Sequence, residues 1–165
     1  MDMKKKEFKV IVSEYHDAEE LPIEDQKLLQ EAVKSASQSY APYSEFHVGA
    51  AVLLENGEVV CGSNQENAAY PAGLCAERVA LFYANSQYPG VAVKALAIAA
   101  KADHFVLDKP ISPCGTCRQV IAETESRQKS KMKIIMQGET GPVNVTEGIE
   151  NLLPLTFYEE KLKKK

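Results

Sequence analysis

The sequence predicts an α/β fold, a three-layer α/β/α arrangement around a mixed five-stranded sheet, and three observations lead there. Apolar runs and helically spaced segments follow one another as β-β-α-β-α-β-β after an N-terminal helix, an order that places helices on both faces of one sheet. In the run Val93 to Lys101, Ala95, Ala97 and Ala99 alternate with Leu96 and Ile98, so both faces are apolar, as in a central strand buried on both sides. Two further apolar runs are separated by Asn56-Gly57, a strong short-range hairpin signal.

Taken in order, Phe8 to Ser13 alternates loosely and has the character of a strand in a peripheral arm, flanked by Lys4 to Lys6 and by the acidic stretch Asp17 to Glu20. From Ile23 to Tyr40, Leu28, Leu29, Ala32, Val33 and Ala36 fall at helical spacing, with Glu24 and Asp25 at the end where the helix dipole favours acids. Ala41-Pro42 ends that helix. Phe46 to Glu55 is an almost continuous apolar strand, and after the Asn56-Gly57 turn Glu58 to Ser63 returns antiparallel. Pro71 and Gly73 interrupt the polar stretch Asn64 to Leu74, which is a loop leading into a helix from near Cys75 to near Asn85. Beyond the Val93 strand, Ala102 to Ser112 is a charged loop containing Pro110. A helix from Cys114 to about Arg127 follows, then strands at Met132 to Gln137 and Val143 to Thr146, and a short helix at Glu147 to Leu152. We therefore expect residues 1–22 to be a peripheral extension, 23–158 to be one domain, and 159–165 to be a charged tail.

At 165 residues the chain is long enough for one sizeable core and too short for two ordinary domains. Hydrophobic residues at 45% and charged residues at 25% exclude disordered and collagen-like classes, and no apolar run suits a membrane span. A formal net charge of −4, with a pI near 5.5, offers no broad basic surface and argues against a nucleic acid polymer as partner. No signal-peptide-like apolar run follows the N-terminal lysines, so a cytoplasmic location is expected. In such a reducing compartment the four cysteines are expected as ligands more than as disulfides, and three of them have places in a metal motif.

Three of those cysteines carry the chemistry. Pro113-Cys114-Gly115-Thr116-Cys117 has C-x-x-C register, placing both thiols on one face of a following helix. Cys75 adds a third thiol, and Glu77 stands two residues after it. Three thiolates with one position open describe a catalytic zinc site rather than a structural one. Cys75 and Glu77 would point apart in mid-helix, so both reach one pocket only if the metal lies off a helix N-terminus. Two helix starts then converge on the ion, and their dipoles favour thiolates. The site is anionic, and Arg78 is placed to offset that charge by donating to sulfur, the alternative being a surface ion pair. Cys61 is left over and is expected to be a buried strand residue acting as a small hydrophobe. His16, His47 and His104 fit no ligand spacing.

The combination of Tyr43-Ser44-Glu45-Phe46, Val48-Gly49-Ala50-Ala51, Asn64-Gln65-Glu66-Asn67-Ala68 with Tyr70, Cys75-Ala76-Glu77-Arg78, Ile111-Ser112-Pro113-Cys114-Gly115 and Leu152-Leu153-Pro154 with Phe157 resembles the small homotetrameric cytidine deaminases. The resemblance runs from about Asp25 to Phe157. It implies zinc-dependent hydrolysis of cytidine and deoxycytidine to uridine and deoxyuridine with release of ammonia, in pyrimidine salvage, and one Zn2+ per subunit held by Cys75, Cys114 and Cys117. Glu77 becomes the proton shuttle, its alternative being an acid favoured at a helix start. Asn64 and Glu66 match ribose-binding positions, although such residues are often turn caps. Phe46, Tyr70 and Phe157 match aromatics of the base pocket, the last given by a neighbouring subunit of a homotetramer, and backbone groups around Ala76 read the base. Two other readings stay open at this point. One is a deaminase of another aminopyrimidine nucleoside such as blasticidin S. The other is a non-catalytic binding module with a closed zinc site whose fourth ligand is Cys61.

Overall fold

The structure, a computed structural model, describes residues 3–162. Six strands form one mixed sheet, β1 (Ser13–Tyr15), β2 (Phe46–Leu54), β3 (Val59–Ser63), β4 (Val93–Ala102), β5 (Lys133–Gln137) and β6 (Val143–Glu147). Their spatial order is β1-β6-β5-β4-β2-β3, with β4 and β5 parallel and every other neighbouring pair antiparallel. Helix α1 (Ile23–Ala36) covers one face, while α2 (Ala76–Gln87) and α3 (Gly115–Gln128) cover the other.

The alternation along β4 explains this layering. Ala95, Ala97 and Ala99 face α1 and pack with Leu28, Leu29 and Ala32, whereas Leu96 and Ile98 face Ala80, Leu81 and Ile121 of the other two helices. Small residues on the α1 side let that helix approach closely. A Cβ at Gly49 on β2 would run into the Ala32 carbonyl of α1, and one at Gly62 on β3 would come 2.6 Å from the Ala80 nitrogen of α2. Leu96 and Ile98 are 0% and 1% exposed, and each such side chain contributes about 1.5–3 kcal/mol on burial. Asp25, buried in the first turn of α1, accepts from the Lys133 ammonium at 2.9 Å and so fastens the helix to β5.

The sheet has one strand more than expected. Ser13–Tyr15 pairs with Val143–Val145 on the outer edge of β6, whereas Phe8 to Val12, where the alternation pointed to a strand, forms none. The extension is thus part of the sheet edge, and Leu21 is buried in the α1-side core. Pairing to an open edge needs backbone groups rather than apolar periodicity, which is why Ser13-Glu14-Tyr15 gave no signal. Helix α1 stops at Ala36 rather than Tyr40: the Ser37, Gln38 and Ser39 N–H groups donate to carbonyls three residues back, and the Tyr40 N–H then donates to the Asn64 carbonyl at 3.0 Å. Val33, counted on its apolar face, is 50% exposed. The expected helix at Glu147 to Leu152 is a single 3₁₀ turn, Ile149–Asn151. The loop after β4 lies across the β5–β6 turn, where the Glu139 and Thr140 N–H groups donate to the Leu107 carbonyl. Lys163 to Lys165 of the charged tail, like Met1 and Asp2 of the extension, fall outside the described residues.

Candidate active site and metal centre

Both zinc-motif clusters sit at helix starts. Cys75 is the N-cap of α2 and Cys114 the N-cap of α3, each with extended backbone that turns the chain into the helix, and Cys117 lies within the first turn of α3. The two N-termini meet, so the three sulfurs lie within 4.8 Å of one another, with Cys75 and Cys114 3.8 Å apart. Cys117 is fully buried, whereas the other two open onto a cleft of about 730 Å³. Glu77, the second residue of α2, is only 4% exposed and lines the same cleft.

The electrostatics follow from this convergence. A hydrogen bond from Cys117 is the largest influence on Cys75, and the Arg78 guanidinium adds to it, pulling the Cys75 thiol down to about 5. The Cys117 thiol is pushed up by that bond to Cys75 and by burial. Burial raises the Glu77 carboxyl, and the neighbouring Cys75 charge raises it further. Arg78 Nη2 lies 3.7 Å from Cys75 Sγ and 3.4 Å from the Gly73 carbonyl, while its buried Nε has no hydrogen-bond partner. An orphaned guanidinium donor beside three soft sulfurs fits a centre that carries more negative charge than thiols alone provide. Zinc with three thiolates is such a centre. Among the described residues the cysteine triad is the grouping of potential ligands suited to a metal ion, and Cys61 is not in it.

Cys61 also departs from its expected burial. It lies in β3 as anticipated but is exposed, β3 being an edge strand of the sheet. Because Cys61 stands outside the cysteine cluster, the described residues form no four-cysteine site. The histidines hold surface contacts: His47 lies between Ser39 Oγ and Asp103, His104 pairs with Glu45, and His16 with Asp17.

The cleft gathers Phe46, Asn64, Glu66 and Tyr70 around Cys75, Glu77 and Cys114. The Asn64 amide spans the start of β2, donating to the Phe46 carbonyl at 2.9 Å and accepting from the Val48 N–H at 2.8 Å. One amide hydrogen and one lone pair remain free by valence for a ligand. Glu66 accepts from the N–H groups of Tyr43 and Ser44 and from the Ser44 hydroxyl, and the last bond leads in holding its carboxyl below the usual range. It is thus a turn cap that also faces the cleft. Tyr70 packs edge-on against Tyr43, with ring centroids 6.1 Å apart. Two anticipated residues are not brought to the cleft wall. Ala76 is buried at the start of α2, where first-turn N–H groups have no partner within the helix, and Phe157 is 72% exposed away from the cleft. Tyr43, Ser44, Ile111 and Ser112 also line the cleft without having been assigned roles, although each stood inside a quoted motif.

Residues 22–132 match the family model described as the cytidine and deoxycytidylate deaminase zinc-binding region. The chain belongs to that deaminase family. It is 43% identical to a cytidine deaminase of Sporosarcina psychrophila over 138 residues, covering 83% of this chain and 93% of the relative. A cytidine deaminase of Halalkalibacterium halodurans is 41% identical over 137 residues, with 83% and 96% covered. The fold likeness agrees: the crystal structure of cytidine deaminase from Burkholderia pseudomallei superposes with a TM-score of 0.69 at 38% identity, over 79% of this chain and 97% of that one. The matched zinc-binding region contains Cys75, Cys114 and Cys117, the triad that the two helix starts bring together here.

Proposed function

We propose that this deaminase hydrolyses cytidine and deoxycytidine to uridine and deoxyuridine, releasing ammonia, in pyrimidine salvage. The observation that carries the reading is a buried carboxylate, Glu77, beside three clustered thiols and facing a cleft of about 730 Å³. Zinc held by Cys75, Cys114 and Cys117 would supply Lewis acidity toward water. The chain's own residues do the rest. Water adds at C4 of the base and gives one proton to the Glu77 carboxylate, which passes it to ring N3; Glu77 then takes the proton of the new C4 hydroxyl and delivers it to the amine as the C4–N bond breaks, leaving the C4 carbonyl of the uridine product and ammonia. Arg78 donates toward Cys75 and tempers the charge of the cluster. Phe46 and Tyr70 flank the base, Asn64 and Glu66 meet ribose hydroxyls with the capacity their backbone bonds leave, and the open first turn of α2 at Ala76 offers N–H groups to the base.

Phe157, exposed and away from its own cleft, is read as the aromatic that completes a neighbour's pocket in a homotetramer. The substrate is a free nucleoside rather than a nucleic acid polymer, given the net charge of −4. No helix among the described residues is long and apolar enough to cross a membrane, and the reading places the protein in the cytoplasm.

The test is spectrophotometric. Cytidine absorbance in the ultraviolet should fall on adding purified protein and stay constant after treatment with a strong chelator; turnover that survives complete metal removal would sink the zinc reading. For the shared pocket, Phe157→Ala should raise KM, and co-refolding it with Glu77→Gln should yield more activity than either variant alone, since mixed oligomers pair an intact Glu77 with a donated aromatic. A fully active monomer would count against sharing.

A further inference from the structure

Arg118 follows Cys117 on α3 and bridges two segments far apart in the chain. Its Nε donates to the Pro113 carbonyl at 2.8 Å, and its Nη1 donates to the Leu152 carbonyl at 2.7 Å. Pro113 is buried and directly precedes Cys114, so the first bond holds the peptide group from which that thiol projects. Leu152 ends the 3₁₀ turn Ile149–Asn151 and begins the stretch that runs on to Phe157, with Leu152 and Leu153 packed on the α3-side core. One residue along the helix, Gln119 Nε2 donates to the Phe157 carbonyl at 3.0 Å. The helix that starts at one thiol thus holds, with two consecutive side chains, the segment that carries the exposed aromatic.

We propose that Arg118 is a positioning residue, a guanidinium fork that sets the Cys114 loop and the C-terminal segment bearing Phe157 in one register, with Gln119 as a second tie on the Phe157 side alone. This rests on the reading of Cys114 as a ligand and Phe157 as a pocket aromatic. The fork is specific to arginine. Its planar donors point in fixed divergent directions and serve two carbonyls at once, whereas a lysine ammonium on a flexible stem reaches one or the other. Because the bond to Pro113 acts through a ligand's neighbouring peptide, its loss should be felt at the metal as well as in substrate affinity.

The experiment compares Arg118→Met, Arg118→Lys and Gln119→Ala with the parent holoenzyme in three assays: zinc transfer to a chromogenic chelator, KM and kcat for cytidine, and thermal midpoint. Removing a partner that orients a ligand typically weakens metal binding tenfold or more, so Arg118→Met should speed zinc transfer about tenfold and also raise KM. Gln119→Ala should raise KM about threefold, the loss of one neutral hydrogen bond, and leave zinc transfer at the parental rate. Arg118→Lys should fall between parent and Arg118→Met in both assays, and it decides the matter if Arg118→Met does not fold. Parental zinc transfer and KM in the Arg118 variants would overturn the proposal. So would Gln119→Ala losing zinc as fast as they do, because that pattern is general loosening of α3. Cys114→Ser and Phe157→Ala run alongside separate the two layers. If these leave zinc transfer and KM unmoved, the site reading fails; if they move while Arg118 does not, the positioning role alone fails.

Discussion

The two faces of the sheet are built from the same strands and do different work. On the α1 face, Ala51, Ala95, Ala97 and Ala99 with Gly49 bring the side of one helix close to the sheet, and the cysteine triad lies elsewhere. On the other face, Leu96 and Ile98 pack beneath α2 and α3, and those two helices begin at the same end of the sheet, where Ile98 forms part of the cleft wall. The difference lies in helix starts more than in apolar content. A single helix laid along a sheet offers its sides. Two that start side by side offer open first turns, where N-cap thiols meet, a nearby carboxylate is buried without a cationic partner of its own, and an anionic centre is tolerated.

The comparison breaks most dramatically at Glu77. Glu77→Gln keeps the size and burial of the side chain but removes the proton it carries, so turnover should fall by about 10² to 10⁴ or more, since general acid–base groups contribute that much and this one serves several steps. Zinc content should stay parental; near-parental turnover would remove Glu77 from the mechanism. On the opposite face, Gly49→Ala drives a methyl group into the Ala32 carbonyl of α1, and overpacking of that kind costs about 1–3 kcal/mol. Its midpoint in urea should drop while turnover per folded molecule and zinc content hold. If activity fell in proportion with no change in stability, the division between a scaffold face and a site face would be wrong.

Much of this was legible in the chain because physical constraints wrote it there. The strict alternation in β4 required two covered faces, Asn56-Gly57 required a hairpin, and the two-residue spacing of Cys75 and Glu77 could serve one pocket only from a helix start. The sixth strand was not legible, because Ser13–Tyr15 joins β6 through backbone bonds that leave no apolar period. Nor was the exposure of Cys61, which depends on β3 lying at the edge of the sheet. Asn64 and Glu66 each do two things at once, holding loop backbone while facing the cleft, and residue type alone allows either role. The fork of Arg118 joins carbonyls 39 residues apart and becomes visible only once Pro113 and Leu152 are neighbours in space.

The central claim is an open zinc site made by three thiols at two helix starts, and it is tested most directly by metal analysis of three purified proteins. The parent and Cys61→Ser should each carry zinc equimolar with chain, Cys61→Ser with little change in stability because its side chain is exposed and outside the cluster. Cys117→Ser, which removes the fully buried thiol of the triad, should be purified with little or no zinc and without deaminase activity. Zinc lost from Cys61→Ser, or retained in full by Cys117→Ser, would contradict the account.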